Sequence, residues 1–289
     1  QSISLLSNSD NFAASSSINN TITNTITVGT SPQGIAFDSS NERIYVVNNS
    51  SDNVSVIDCA TNTVTDTITV GDLPIDVAYD SGNGRMYVVN RNDDNVSVIN
   101  CSTNAVITTV SVGSSPRRIA YDSANGRMYV TNRNTDNVSV IDCTTNTVIS
   151  TVTVGDQPQG VAYDSGNGRM YVVNTNLSAN SVSVINCTTN TVITTISLTG
   201  TSPNNIAYDS INETMYVTNG GSDNVNVISC SSNAVTNTIS VGDTASAIAY
   251  DSDMGQMYIT NSGTPASISV IDCATESVSS TITLTAGSS

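Results

Sequence analysis

One tetrapeptide returns six times along this chain at almost constant spacing. Tyr45-Val46-Val47-Asn48, Tyr87-Val88-Val89-Asn90, Tyr129-Val130-Thr131-Asn132, Tyr171-Val172-Val173-Asn174, Tyr216-Val217-Thr218-Asn219 and Tyr258-Ile259-Thr260-Asn261 recur at steps of 42, 42, 42, 45 and 42 residues. A fixed period of this length marks a repeat architecture. Each repeat must supply the same structural piece, so recurring residues are mostly scaffold. Function has to be sought where the repeats differ.

Within one unit the pattern is all β. Residues 74–79 form a short apolar run ending at Asp80, and residues 81–84 a turn cluster. Residues 85–90 form a second β-rich run, residues 91–95 a second turn, and residues 96–99 a third run. After Cys101 a fourth run, 105–112, closes at Gly113. Four strands, A to D in chain order, separated by Gly, Asn, Asp and Ser turns and showing no helical period, describe an antiparallel propeller blade. A linear β-solenoid fits less well, because its coils are shorter and stack one strand per face.

The expected fold is an all-β, seven-bladed β-propeller of four-stranded antiparallel blades, with the first blade incomplete. Residues 1–289 read as one propeller domain, with full blades at 30–71, 72–113, 114–155, 156–200, 201–242 and 243–287. Residues 1–29 overlay 85–113 without a gap, which reads as a degenerate blade carrying strands B, C and D. That overlay puts Ile3, Leu5 and Leu6 on strand B, as a candidate assembly strand. The C-terminal run 282–289 matches 196–203, which leads into a strand A, and it stops where that strand begins. Residues beyond Ser289 would supply the missing strand, or a neighbouring chain would add it, or the blade stays three-stranded.

Composition narrows the chemistry. Asp and Glu outnumber basic residues 24 to 8, for a net charge of −16, and all eight basic residues are arginine. That field repels phosphate backbones, so no nucleic-acid partner is expected. Without His or Lys the chain lacks the usual near-neutral proton shuttle, the commonest metal ligand and any Schiff-base amine. No enzyme activity, cofactor or metal is therefore expected. No apolar run is long enough to make a transmembrane segment. The chain opens at Gln1 without an initiator Met or an apolar leader, which reads as a processed or excised mature chain.

The literal Tyr-Val-Thr-Asn at 129–132 and 216–219 carries a resemblance. So do the Val-Ile-Asp-x-x-Thr-Asn-Thr-Val run and the Val-Gly-x-x-Pro-x-x-Ile-Ala-Tyr-Asp run. The chain resembles the YVTN-type β-propeller repeats of microbial, often archaeal, surface-layer and cell-surface proteins, strongly over about 30–285 and weakly over 1–29. The resemblance implies a seven-bladed propeller in an extracellular or cell-surface protein and implies no reaction, since related propellers include lactone hydrolases and cofactor-bearing dehydrogenases. Cysteine where the family usually has threonine is a departure.

Those cysteines, Cys59, Cys101, Cys143, Cys187, Cys230 and Cys273, fall once per unit. Equivalent points of neighbouring blades lie beyond disulfide reach, so packed free thiols are expected, with inter-chain or modified cysteines as the alternative. Asp38, Asp80, Asp122, Asp164, Asp209 and Asp251 end each strand A and suit hairpin capping better than calcium binding. Ten Asn-x-Ser/Thr sequons are no more than this composition produces by chance. Asn53, Asn95 and Asn137, in the B–C turns, are the candidate glycosylation sites.

Arg43, Arg85, Arg127 and Arg169 keep register after the A–B turn and read as structural. Arg91 and Arg133 in B–C turns, and Arg117 and Arg118 at a D–A entry, break the repeat. In an up-and-down blade those connections share one face, making these four arginines the candidate partner-contact face; ordinary loop variation is the bland account. The leading expectation is a non-catalytic extracellular structural or interaction protein. It would be a homo-oligomer or polymer forming a surface layer or filament through its incomplete blade or loop face. A binding module for a glycan or cell-surface protein is the alternative. A carboxylate-based hydrolase ranks third, with Asp76 the one obvious departure toward the channel.

Overall fold

The computed structural model describes residues 2–6, 22–176 and 180–284, with side chains described from residue 25 onward. The chain divides into two compact units, Gln1–Thr109 and Val110–Ser289. Among the described residues there is no helix, and hence none long and apolar enough to cross a membrane.

In the first unit β1 (Ser2–Leu6) pairs with β2 (Ile22–Thr27). A four-stranded sheet follows, made of β3 (Pro32–Asp38), β4 (Arg43–Asn48), β5 (Asn53–Asp58) and β6 (Thr63–Thr69). The next sheet is β7 (Pro74–Asp80), β8 (Arg85–Asn90), β9 (Asn95–Asn100) and β10 (Ala105–Ser111), the unit boundary falling inside β10.

The second unit repeats the plan four times. Its first two sheets are β11 (Pro116–Asp122), β12 (Arg127–Asn132), β13 (Asn137–Asp142) and β14 (Thr147–Thr153), then β15 (Pro158–Asp164), β16 (Arg169–Asn174), β17 (Ser181–Asn186) and β18 (Thr191–Ser197). The last two are β19 (Pro203–Asp209), β20 (Thr214–Asn219), β21 (Asn224–Ser229) and β22 (Ala234–Ser240), then β23 (Ala245–Asp251), β24 (Gln256–Asn261), β25 (Ser267–Asp272) and β26 (Ser277–Thr283).

Each letter of the repeated tetrapeptide has a physical job. The strand-B tyrosines from Tyr45 to Tyr216 are buried, and within a unit they reach into the following blade: Tyr129 donates to Asn190 Oδ1 at 2.6 Å, and Tyr45 to Asn104 Oδ1 at 2.9 Å. Tyr258 is half-buried and donates to Gln256 Oε1 of its own strand. The valine packs between sheets, as Val172 does against Tyr129, Val140 and Ile185. Thr131 fills an irregularity in strand A, accepting from the Arg118 N–H at 3.0 Å and donating to the Gln159 carbonyl of the next blade at 2.8 Å. Asn132 donates to Asn137 Oδ1 and Ser139 Oγ, closing the B–C turn. The glycine ending strand D belongs to the same device, because a Cβ on Gly113 would stand 2.7 Å from Asn132 Cγ.

The strand-A aspartates cap their turns. Asp122 Oδ1 accepts from the N–H groups of Ala124 and Asn125, and Oδ2 from the Asn125 amide. Arg127 and Arg169 donate to the Cys187 and Cys230 carbonyls of the following blades, at 2.8 and 3.1 Å. The six cysteines are free thiols. Burial pushes Cys101, Cys187, Cys230 and Cys273 up to about 12.

The seven-bladed expectation, with an incomplete first blade of strands B, C and D, is overturned. The described residues form six four-stranded blades and one two-stranded sheet. Ser2–Leu6 is not a strand B. It pairs Ser2↔Thr27, Ile3↔Ile26, Ser4↔Thr25 and Leu5↔Asn24, then slips to Leu6↔Ile22. This is the register of C against D in the first full blade: Asn53↔Thr69, Val54↔Ile68, Ser55↔Thr67 and Val56↔Asp66, then a slip to Ile57↔Val64. The gap-free overlay failed because residues 7–21 stand where a full blade spends only residues 59–62. The strand C expected within residues 7–21 lies outside the described residues.

Candidate functional site

Within the second unit successive sheets pack face to face and their A strands run side by side. The second residue of each A strand breaks the repeat: Arg117, Gln159, Asn204 and Ser246. The residue after each strand-B asparagine is pinned beside the D–A connection of its own blade. The Arg133 N–H donates to the Ser115 carbonyl at 3.1 Å, Thr175 to Gln157 at 3.3 Å and Gly220 to Ser202 at 3.1 Å. D–A entries and B–C turns therefore gather at one end of these sheets, as up-and-down connectivity requires.

A cavity of about 460 Å³ opens there. Arg117, Arg133, Gln159, Thr175, Asn204 and Ser246 supply its polar wall, and no Asp or Glu is among its lining residues. The rest of the wall comes from the D–A entries, where Ser202 and Thr244 take left-handed backbone angles, φ 51° and 58°. Two acids near the rim are engaged by backbone N–H groups. Asp136 accepts from the Gln157 N–H at 2.8 Å, and Asp223 from the Thr244 N–H at 2.7 Å.

The Arg133 guanidinium is held from the scaffold side. Arg133 donates to Gln157 Oε1 at 2.8 Å, while its Nε–H is buried without a hydrogen-bond partner. Arg117 follows Pro116, which pairs with Asn132, so it enters the cavity wall next to the Arg133 turn. In a chain of net charge −16, the cavity wall carries two guanidinium groups and no carboxylate side chain. Its chemistry is anion recognition plus hydroxyl and amide hydrogen bonding.

Of the four repeat-breaking arginines, the structure brings Arg117 and Arg133 to this cavity. Arg118 is not among the lining residues; its backbone N–H donates to the Thr131 hydroxyl. Arg91 belongs to the first unit, where its N–H donates to the Leu73 carbonyl. Asn53, Asn95 and Asn137 lie half-buried at B–C turns, and their side-chain oxygens accept from Asn48, Asn90 and Asn132. Ile3, Leu5 and Leu6 lie in β1, whose only described partner is β2. No group of three or more Cys, Asp or Glu able to hold a metal ion occurs among the described residues.

Gln159, Thr175, Asn204 and Ser246 were missed as site residues on reading the sequence. For Gln159, Asn204 and Ser246 the signal was present: the two residues after the opening Pro or Ala of strand A vary from unit to unit (Gln33, Ile75, Arg117, Gln159, Asn204 and Ser246 at the first of them), while the Ile/Val-Ala-Tyr/Phe-Asp that follows repeats. Thr175 falls in a variable B–C turn.

Comparison with known proteins adds the family. The model of the YNCE-like beta-propeller matches residues 75–288. A chain of hydrazine synthase from Kuenenia stuttgartiensis superposes with a TM-score of 0.74 at 19% identity, over 85% of this chain and 78% of that one. At that identity the likeness shows the fold alone. Among curated protein sequences nothing matches the chain.

Proposed function

Since the chain belongs to the YNCE-like β-propeller family, whose scaffold type hosts many unrelated functions, we propose that it is a non-catalytic binding module. It works at the cell surface or outside the cell and holds its ligand on the arginine-bearing end of the second unit. The observation that carries this reading is the convergence of repeat-breaking residues on one cavity, while the repeating ones are consumed by scaffold bonds. A sequence that needed only a scaffold would have no reason to vary at the second residue of every A strand. The polar wall, free of carboxylates, favours holding an anionic or hydroxyl-rich ligand over transforming it.

The test is an array of cell-envelope glycans and glycopeptides probed with the native chain, an R117Q/R133Q double variant and R91Q. The double variant should lose the bound spots and R91Q should keep them. Turnover of an ester, lactone or glycoside by the native chain would sink the non-catalytic reading.

A second reading, assembly with further copies into a layer or filament, is favoured by the first blade. Ile35 is 54% exposed and Phe37 52%, whereas Val77, Ile119, Val161 and Ile206, equivalent to Ile35, are 5–8% exposed. β1 leaves its far edge without a described ladder partner. An open apolar sheet face, and an edge with no described partner, each suit a β-segment from a second copy of this chain.

A further inference from the structure

The cavity of the second unit is more specific than a generic polar surface. We propose that it binds a hydroxylated carboxylate, a single acidic sugar residue, with Arg117 and Arg133 on the carboxylate and Gln159, Thr175, Asn204 and Ser246 on the hydroxyls. This rests on the binding-module reading and names its ligand class.

Three observations lead to it. The first is where charge is placed. Two of the eight arginines line this cavity, and no acid does. A guanidinium presents a planar fork of donors matched to the two oxygens of a carboxylate. Gln157 Oε1 takes one Arg133 N–H at 2.8 Å and orients the fork from behind, so less side-chain freedom is lost when a ligand arrives.

The second is the chemistry of the remaining wall. Gln159 and Asn204 offer amides, and Thr175, Ser202, Thr244 and Ser246 offer hydroxyls. Amides and hydroxyls both donate and accept, which is what a ring of sugar hydroxyls requires. Pro203 and Ala245 are the only apolar side chains in the lining, so a flat aromatic or aliphatic ligand would strand this polar wall without partners. A volume of about 460 Å³ lies within the range of small-molecule sites.

The third is the field of the whole chain. At net −16 every added negative charge is repelled, and a phosphate brings about twice the charge of a carboxylate. A phosphorylated sugar would bring the same hydroxyls with the less favourable anion.

The experiment is calorimetric titration of the intact chain at low ionic strength. The probes are sodium glucuronate, an oligoglucuronate, methyl glucoside and inorganic phosphate, against the native chain and R117Q, R133Q, R133K and R91Q. Glucuronate or its oligomer should bind at least tenfold tighter than methyl glucoside and phosphate; monomer against oligomer separates a free sugar acid from a glycan as the source. R117Q and R133Q should weaken binding at least tenfold with melting temperature unchanged, and R133K, which keeps the charge and loses the fork, should fall between. R91Q should bind as the native chain does. Methyl glucoside binding as tightly as glucuronate, or phosphate binding tighter, overturns the proposal and leaves the binding-module reading standing. No binding by any probe also overturns it, and the glycan array decides the broader reading separately. If R117Q and R133Q both unfold, R133K decides: unchanged glucuronate affinity in that variant overturns the role given to the fork.

Discussion

At the residue scale, ionisable groups here serve the scaffold and set how stability depends on pH. Burial opposes ionisation of Asp38, but donors from Asn41, Tyr79 and the Ser40 and Asn41 N–H groups outweigh it and hold the carboxyl below its usual value. Asp209 is held down in the same way by Tyr250, Asn212 and Ile211. A carboxylate with a lowered folded pKa contributes stability that is complete above the unfolded value, about 4, and lost as pH falls through the folded one. The thiols act at the other end. Cys101, Cys187, Cys230 and Cys273 titrate at about 12 when folded, so the unfolded chain releases protons first and stability falls as pH rises past about 8.5. Melting temperature should therefore hold a plateau between about pH 4.5 and 8 and decline on both sides; a continuous rise from pH 8 to 11 would contradict the thiol assignment. Cys59 is the exception in exposure, half-buried where Cys101, Cys143, Cys187, Cys230 and Cys273 are buried. An aromatic disulfide reagent should titrate one thiol in the native chain and six in denaturant, and mass mapping should place the native adduct on Cys59. Two or more fast native thiols would refute that ordering.

At the scale of the element, the turns decide how faithfully a blade can be copied. The fourth residue of the A–B turn has positive φ throughout: Gly84, Gly126, Gly168 and Gly255 lie at 61–63°, while Glu42 and Glu213 are forced to 51° and 52°. A side chain there costs about 1–2 kcal/mol, partly offset because glycine loses about 0.5–1 kcal/mol more backbone entropy on folding. Glu213→Gly should thus stabilise by about 0.5–1 kcal/mol, seen as a melting temperature about 1–3 °C higher; a lower one would mean that Glu213 makes a compensating contact. Gly113→Ala runs the other way. Its Cβ would meet Asn132 Cγ at 2.7 Å and Thr135 Oγ1 at 2.5 Å, and relieving that overlap should cost about 1–3 kcal/mol. The same elements show why the blades were legible and the N-terminus was not. Strand edges such as Pro74, Asp80, Arg85 and Asn90 sit at turn residues that recur at one period, so the repeat carries its own boundaries. Ser2-Ile3-Ser4-Leu5-Leu6 has only alternation, which suits B or C equally and does not name its partner. The telling likeness was Ser267-Ile268-Ser269-Val270-Ile271, a strand C, but residues 7–21 put that match out of phase with a fixed overlay. The site divided along similar lines. Arg117 and Arg133 stood out because charge is scarce, whereas Gln159, Asn204 and Ser246 were hidden among abundant Asn, Ser and Gln-like polarity, and only the side-by-side A strands show that they meet.

At the scale of the whole molecule, repetition makes exposed surface interpretable. Val77, Ile119, Val161 and Ile206, the equivalents of Ile35, are buried and Ile248 is partly buried, whereas Ile35, Phe37 and Cys59 all gain solvent exposure together. Scattered apolar exposure would need no explanation, but three residues on one sheet that are more open than their counterparts elsewhere form a patch. Among the described residues the β1–β2 pair is a two-stranded sheet with the register of a C–D ladder. An open apolar sheet face invites cover by another β-segment. Light scattering across a hundredfold range of concentration should show the mass rising with concentration. Phe37→Asp should move that transition to at least tenfold higher concentration by placing a charge on the patch, and deletion of residues 1–19 should weaken it by removing the β1 edge. Arg117→Gln should leave it unchanged, since the ligand cavity is a separate device in the second unit. Monodisperse single chains at every concentration would end the assembly reading while leaving the cavity untouched. Association that survives both Phe37→Asp and the deletion would place the contact on another surface.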